Sequence, residues 1–474
     1  MKKIKLNKKI LLLFLIFIFT IFVRFYNLKI TARFTRDESS DLVSIKRIID
    51  QKDITLIGPI AEGNTGIFSS LTYYISLPFV FFSKNNPLGP AWATAFYGSL
   101  TVLLIWLFLK KEKIKWLPIF LLPAIFSPYV ETSRWAWNPH FIPFWQILGI
   151  LILNSNFPLS ILISGIIFGL TIHQHWYSIF FCLGLVFLVY KKNKNIKDII
   201  LYSIGLFISI VPFIIFDITH PPGLFFSRML YFSPISSNNH FSIINFFIKF
   251  INTPLQFFQY ISYGNKIFIW IILLLSTILL IKNIRLKKTS LNLFLVPILF
   301  QFLGLSFISP PIANRYLIPA ILFFILWLAK NLKSNISRLI IISLIISSLF
   351  SLSKILSQND STNNIEALNK ITNIIKNDLS QSNSNTFNLV VLQSPDGNTK
   401  GSRFRDLLKV QNIYPLSSDD YQNPKTLYVI SYNSWDKIRE DPAYEMSHFR
   451  KDSPDNYWQI ENSKWILYKV QKKD

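Results

Sequence analysis

The sequence predicts a polytopic α-helical membrane protein of about eleven transmembrane helices (1–352), followed by a small C-terminal α/β domain (353–474). Three observations predict it. Hydrophobic residues make up 51% of the 474 residues and charged ones only 16%, where a soluble protein carries about 25% charged. The net charge of +24 is unevenly placed: residues 1–352 hold 33 Lys and Arg against 10 Asp and Glu, while residues 353–474 hold 16 against 15. Apolar runs close to membrane-crossing length recur through 1–352 and then stop. The excess charge therefore sits on the apolar part, which points to membrane topology and to no nucleic-acid partner. A mean hydropathy of +0.37 argues against an ordinary cytosolic enzyme. One cysteine, Cys182, excludes a disulfide framework and a multi-cysteine metal site.

The elements follow in order. Five lysines precede ILLLFLIFIFTIFV, and no small-residue cleavage site follows, so this reads as an uncleaved first span. Ten further spans fall at roughly 90–109, 116–130, 139–154, 158–175, 176–190, 199–216, 267–281, 291–308, 316–330 and 338–352. Basic clusters test this count. Lys110–Lys115, Lys191–Lys197, Lys282–Lys288 and Lys330–Arg338 all fall on the side of the N-terminal lysines, which the positive-inside rule makes cytoplasmic. An odd number of spans then leaves 353–474 extracytoplasmic. The outer loop 25–89 carries both charge signs, and its apolar stretch Gly66–Phe82 reads as a juxtamembrane helix at the interface or partly re-entrant. A second outer loop, 217–266, is rich in Phe and Tyr. In the C-terminal part, STNNIEALNKITNIIKNDL and SRFRDLLKV read as helices, FNLVVLQ and TLYVISY as buried strands, and WQIENSKWILYKV as a closing strand pair.

Polar residues are costly in a bilayer, so their positions carry information. Here they gather at outer ends: Asp37 and Glu38 in FTRDESSD; Glu131, Arg134, Trp137, Asn138 and His140 in PYVETSRWAWNPH; His173, Gln174 and His175 in IHQHW; Asp217 and His220 in FDITHPP; Arg315 and Tyr316 in NRYLIP. All six histidines, including His240 and His448, fall outside in this topology. Each group also has a plainer reading, as a loop acid, a snorkelling anchor or an interfacial aromatic. Histidines two apart on a helix point about 200° from each other and make a poor metal pair by themselves. Their collection on one face is what points to a polar, outward-facing site, in which a divalent cation is an open element.

That layout suits transfer of a sugar from a lipid phosphate. The donor's tail stays in the bilayer while its phosphate reaches the interface. The leaving phosphate gathers negative charge, which the planar fork of an arginine stabilises. The acceptor needs a carboxylate to take its proton. Direct attack on the anomeric carbon inverts its configuration.

Asp37-Glu38, the Gly66–Phe82 stretch, a span starting near Pro90, SRWAWNPHFIPFW (133–145) and NRYLIP (314–319) together resemble the GT-C superfamily of polyprenyl-phosphate-sugar glycosyltransferases. The branch of protein O-mannosyltransferases and lipid A aminoarabinose transferases is the most similar. The resemblance covers roughly 1–335. It implies an integral membrane enzyme of the plasma membrane with an outward-opening site, a polyprenyl-phosphate-sugar donor and an acceptor at the outer face. The family's catalytic acid carries over to Asp37, with Glu38 close second, since spacing alone does not separate the two. Its late-loop basic residue carries over to Arg315. The α/β appendage departs from the β-trefoil of eukaryotic members. Sugar and acceptor stay open. A transporter or flippase of lipid-linked saccharides is the rival class, but neither midplane charges nor internal repeats support it here. A non-catalytic scaffold leaves the outer polar collection without a role.

Overall fold

Proline placement and backbone hydrogen bonding decide where the apolar runs become helices. The computed structural model describes residues 8–60, 67–221, 223–226, 242–288, 292–308, 311–358, 364–381, 386–393, 399–449 and 452–472. His240 and Lys2, Lys3 and Lys5 lie outside the described residues. Two compact units result: Met1–Tyr26, Thr55–Ile75 and Trp92–Ser357 form the first; Asn27–Ile54, Ser76–Ala91 and Gln358–Asp474 form the second.

Among the described residues, four helices are long and apolar enough to cross a membrane: Gly89–Lys111, Ile196–Thr219, Lys266–Arg285 and Asn335–Ser357. At 1.5 Å per residue, 20 to 24 residues reach about 30–36 Å. Shorter apolar helices include Ile10–Phe25, Asn138–Leu153, Ser160–Gln174 and Leu295–Ser306. In the first unit the helix Ile318–Lys330 is buried on every face from Ile318 to Ala329, as befits the centre of a bundle. Lysines and arginines occupy the last turns of Gly89–Lys111, Ser178–Asn193, Lys266–Arg285 and Ile318–Lys330, where the helix dipole favours them.

The run 116–130, expected as one span, is two helices, Pro118–Ile125 and Ser127–Thr132, broken at Phe126. The carbonyl of Ala124 would need the N–H of residue 128, which is a proline and has none. The N–H that Pro123 would need belongs to Ser127 and donates to Ser348 Oγ instead. Arg24, fully buried, supplies both missing donors, to Ala124 O at 2.9 Å and Pro123 O at 3.1 Å. A buried guanidinium thus closes the helix break.

Gly66 lies outside the described residues, and the stretch 67–82 also differs from one continuous helix. Ile57–Ile60 (β1) pairs antiparallel with Ile67–Ser69 (β2), and the helix begins only at Leu71, whose N–H donates to Ser69 Oγ.

Close helix contact has a sequence signal. Gly165 and Gly169 form a G-x-x-x-G pair in the helix Ser160–Gln174, which packs against Ile196–Thr219. A Cβ at Gly165 would lie 2.3 Å from Tyr202 O, and one at Gly169 would overlap Ser209 Oγ. Gly165→Leu is therefore expected to lower the melting temperature of the purified protein by several degrees, an overpacking cost of about 1–3 kcal/mol or more. An unchanged melting curve contradicts this packing.

In the second unit a four-stranded sheet is ordered β3-β4-β6-β5, with β3 Phe387–Leu392, β4 Thr426–Ser431, β5 Asn456–Gln459 and β6 Ile466–Gln471. β3 and β4 are parallel and buried throughout, because both faces are covered. Val390, Leu392, Leu427 and Val429 pack with Trp435, Ile438 and Met446 on one face. Leu389 and Val391 point the other way, toward Gly401, which opens the crossover helix Ser402–Val410. The helix Ile365–Gln381 is tied to the sheet by Asp378, which accepts from Tyr428 Oη at 2.5 Å and from Lys469 Nζ at 2.8 Å.

Candidate functional site

In the first unit, aromatic rings and one arginine from three distant segments form a connected cluster. After the helix Ser127–Thr132 the chain runs through Ser133–Trp137 and re-enters a 3-10 turn, Asn138–Phe141, with Pro139 at its start. Trp135 and Trp137 stack at 5.1 Å, and His140 stands edge-on to them at 4.7 and 5.7 Å. His140 Nδ1 donates to Trp135 O at 2.9 Å. Arg315 and Tyr316 lie on the 3-10 turn Asn314–Leu317. The guanidinium sits 5.0 Å from the Trp137 ring centre and 4.8 Å from that of Tyr316, and donates to Tyr316 Oη at 3.1 Å. Tyr316 in turn packs on His175 at 5.0 Å and Tyr177 at 4.6 Å. Ring contacts of this kind are worth about 0.5–2 kcal/mol each and hold the planar cation in place. Among the described residues Arg315 forms no ion pair, so its charge is positioned but not neutralised. Asn138, beside Trp137, is buried with its Oδ1 lacking a hydrogen-bond partner among the described residues.

The other residues singled out in this unit are engaged internally. Arg134, buried, donates to the carbonyls of Val23 and Tyr26 and so caps the first helix. Burial pulls its guanidinium down to about 10, so it stays charged near neutral pH. His173 bridges Ser69 Oγ (2.8 Å) and Ser209 O (2.6 Å), which occupies both ring nitrogens. Gln174 Oε1 accepts from Thr72 Oγ1 at 2.8 Å, and its Nε2 is buried without a partner among the described residues. His175 leaves the helix in extended backbone, so the helical angle between His173 and His175 does not apply. Asp217 and His220 do not pair with each other. Asp217 accepts from the N–H groups of Leu224, Phe225 and Phe226, in a loop whose turn uses Gly223 at φ +87°. His220 stacks on Phe216 at 4.2 Å. Among the described residues no group of three His, Cys, Asp or Glu side chains is placed to hold a metal ion.

Asp37 and Glu38 belong to the second unit, in the first turn of the helix Arg36–Gln51. Here the two acids separate. Thr35 and Glu38 form a capping box: Glu38 Oε2 accepts from Thr35 N at 2.6 Å and Thr35 Oγ1 at 2.5 Å. Glu38 is 3% exposed, and its Oε1 has no partner among the described residues. Burial pushes its carboxyl up to about 7. Asp37 is exposed, one residue earlier, where the N-terminal end of the helix stabilises a negative charge. The helix is anchored by Ser39 Oγ, which donates to Asp406 Oδ2 of the crossover helix at 2.8 Å. The signal Thr35-x-x-Glu38 is local and present in the sequence, yet it is a folding signal inside what reads as a catalytic pair.

The shift at Glu38 gives a pH test. The folded chain holds a proton there between about 4.5 and 7 that the unfolded chain has released, so this contribution to stability is full below about 4.5 and lost as pH rises through 7. Glu38→Gln imitates the neutral acid. Relative to wild type, its melting temperature is expected to rise between pH 5 and pH 8 by the equivalent of about 3 kcal/mol at most. An equal difference at both pH values contradicts the buried, proton-holding acid.

The bundle of the first unit defines a class, a polytopic α-helical fold with helices long and apolar enough to cross a membrane. More particularly, the chain has the fold of ArnT. It is similar to the crystal structure of ArnT from Cupriavidus metallidurans bound to undecaprenyl phosphate, with TM-score 0.56 and 9% identity over 98% of each chain. It is also similar to the apo-state structure of that protein, with TM-score 0.52 and 10% identity over 98% of each chain. No protein-family model and no curated protein sequence matches the chain.

Proposed function

We propose that this chain is a membrane glycosyltransferase that moves a sugar from a polyprenyl-phosphate donor to an acceptor at the extracytoplasmic face. The observation that carries the reading is Arg315, a cation held between Trp137 and Tyr316 without an ion-pair partner among the described residues. Such a group suits a phosphate. The likeness to a protein crystallised with undecaprenyl phosphate supports the same donor class. Asp37 takes the proton from the acceptor hydroxyl or amine as the acceptor atom bonds to the anomeric carbon. The bond from that carbon to the phosphate oxygen breaks, the electron pair leaves with the prenyl phosphate, and Arg315 stabilises its charge. The anomeric centre inverts. The test is incubation of purified protein with membranes as acceptor source and a panel of undecaprenyl phosphates carrying radiolabelled sugars. Label moving out of the lipid fraction with release of undecaprenyl phosphate supports the reading; no release from any donor opposes it.

We further propose about eleven spans, with the N-terminus inside and residues 353–474 outside. Cys182 is buried, so Ser380→Cys adds one accessible thiol. It is expected to react with a membrane-impermeant maleimide in intact cells. Reaction only after permeabilisation reverses the orientation.

A further inference from the structure

Beside the Arg315 cluster, within the first unit, lies a hollow of about 410 Å³. That falls in the range of about 300–1,000 Å³ usual for small-molecule sites. Its wall includes Glu131, Gln256, Gln259, Tyr260, Tyr263 and Asn314. Asn314 is the residue before Arg315, so the hollow opens next to the cation's own backbone. Gln256 fixes that junction: its Nε2 donates to Ile312 O at 2.6 Å and lies 3.4 Å from Asn314 Oδ1. Glu131 enters from the last turn of the helix Ser127–Thr132, and the two glutamines and Tyr260 from the helix Ile243–Ile261.

We infer that this hollow is the sugar-recognition subsite, taking a neutral or amino sugar, with Glu131 as the specificity-determining residue; this rests on the glycosyltransferase reading. Gln256 Nε2 is engaged with Ile312 O, while the carboxamides of Gln259 and Asn314 and the phenols of Tyr260 and Tyr263 bring groups that both donate and accept to the wall, which matches a ring of hydroxyls. The tyrosine rings offer apolar faces to the C–H side of a pyranose. Among the described residues that line the hollow, Glu131 is the one carboxylate and none is Lys or Arg. A sugar hydroxyl or ammonium donates to Glu131, whereas a uronic acid meets like charge. A glycosyl phosphate places its ring one oxygen away from the phosphorus, so a phosphate on Arg315 directs the ring toward a neighbouring hollow.

The experiment measures binding to the full-length purified chain of four synthetic lipids: undecaprenyl phosphate bare, and carrying glucose, glucosamine or glucuronic acid. Glucose or glucosamine is expected to tighten binding over the bare lipid by about tenfold, the worth of one or two hydrogen bonds, and glucuronic acid is not. Glu131→Gln and Gln259→Ala are each expected to erase that gain and leave bare-lipid affinity within about twofold. A gain that survives both substitutions overturns the subsite while the glycosyltransferase reading stands. So does loss of bare-lipid binding in both variants, which makes these residues supports of the fold. If wild type binds none of the four lipids, both readings fall.

Discussion

Asp37→Asn is expected to lower sugar transfer by about 10²–10⁴, the usual cost of losing a general base, while leaving donor binding intact. The substitution keeps size and hydrogen bonding and removes only the site that takes the proton. Glu38→Gln is expected to keep turnover within a few fold, because Gln at the third helical position still closes the capping box with Thr35. The two neighbours are thus assigned different work. Asp37 is exposed at the helix start, while Glu38 is buried and bonded to the residue that caps the same helix. Turnover by both purified variants, with folding checked by thermal shift, decides it. Loss of transfer in Glu38→Gln with retention in Asp37→Asn exchanges the roles. Retention in both makes the acids structural.

Arg315→Ala is expected to weaken binding of undecaprenyl phosphate by about 10–100-fold, the worth of about 1.5–3 kcal/mol for hydrogen bonds to a charged group. Arg315→Lys keeps the charge but loses the planar fork and its stacking on Trp137, so its affinity falls between the two. Asp37→Asn leaves this affinity unchanged, which separates phosphate binding from proton transfer. Fluorescence of the protein is a convenient readout, since Trp137 lies against the guanidinium. Equal affinity for wild type and Arg315→Ala contradicts the assignment.

Much of the fold is legible locally. A helical membrane fold follows from apolar runs and basic clusters, and SRFRDLLKV and FNLVVL coincide with the helix Ser402–Val410 and the strand Phe387–Leu392 because their periodicities are unambiguous. The break at Phe126 is hidden in a uniformly apolar run, although Pro128 stands four residues after the carbonyl it leaves unpaired. The candidate site is legible only as residue types at loop ends. Asp217 and His173 have the same chemistry as a binding group, but the first closes a backbone loop and the second bridges Ser69 and Ser209. Nothing local in the sequence distinguishes those uses. Arg315 meets Trp137 across nearly 180 positions, and Glu131 shares a hollow with Gln256, so neither pairing has a sequence period to reveal it.

Arg315 is proposed to hold the phosphate of a polyprenyl-linked sugar donor. An experimental structure of the chain with undecaprenyl phosphate tests it most directly. Phosphate density is expected within about 3 Å of the Arg315 guanidinium, with the prenyl chain running into the bilayer. A phosphate bound elsewhere, with Arg315 unchanged against Trp137 and Tyr316, would contradict it.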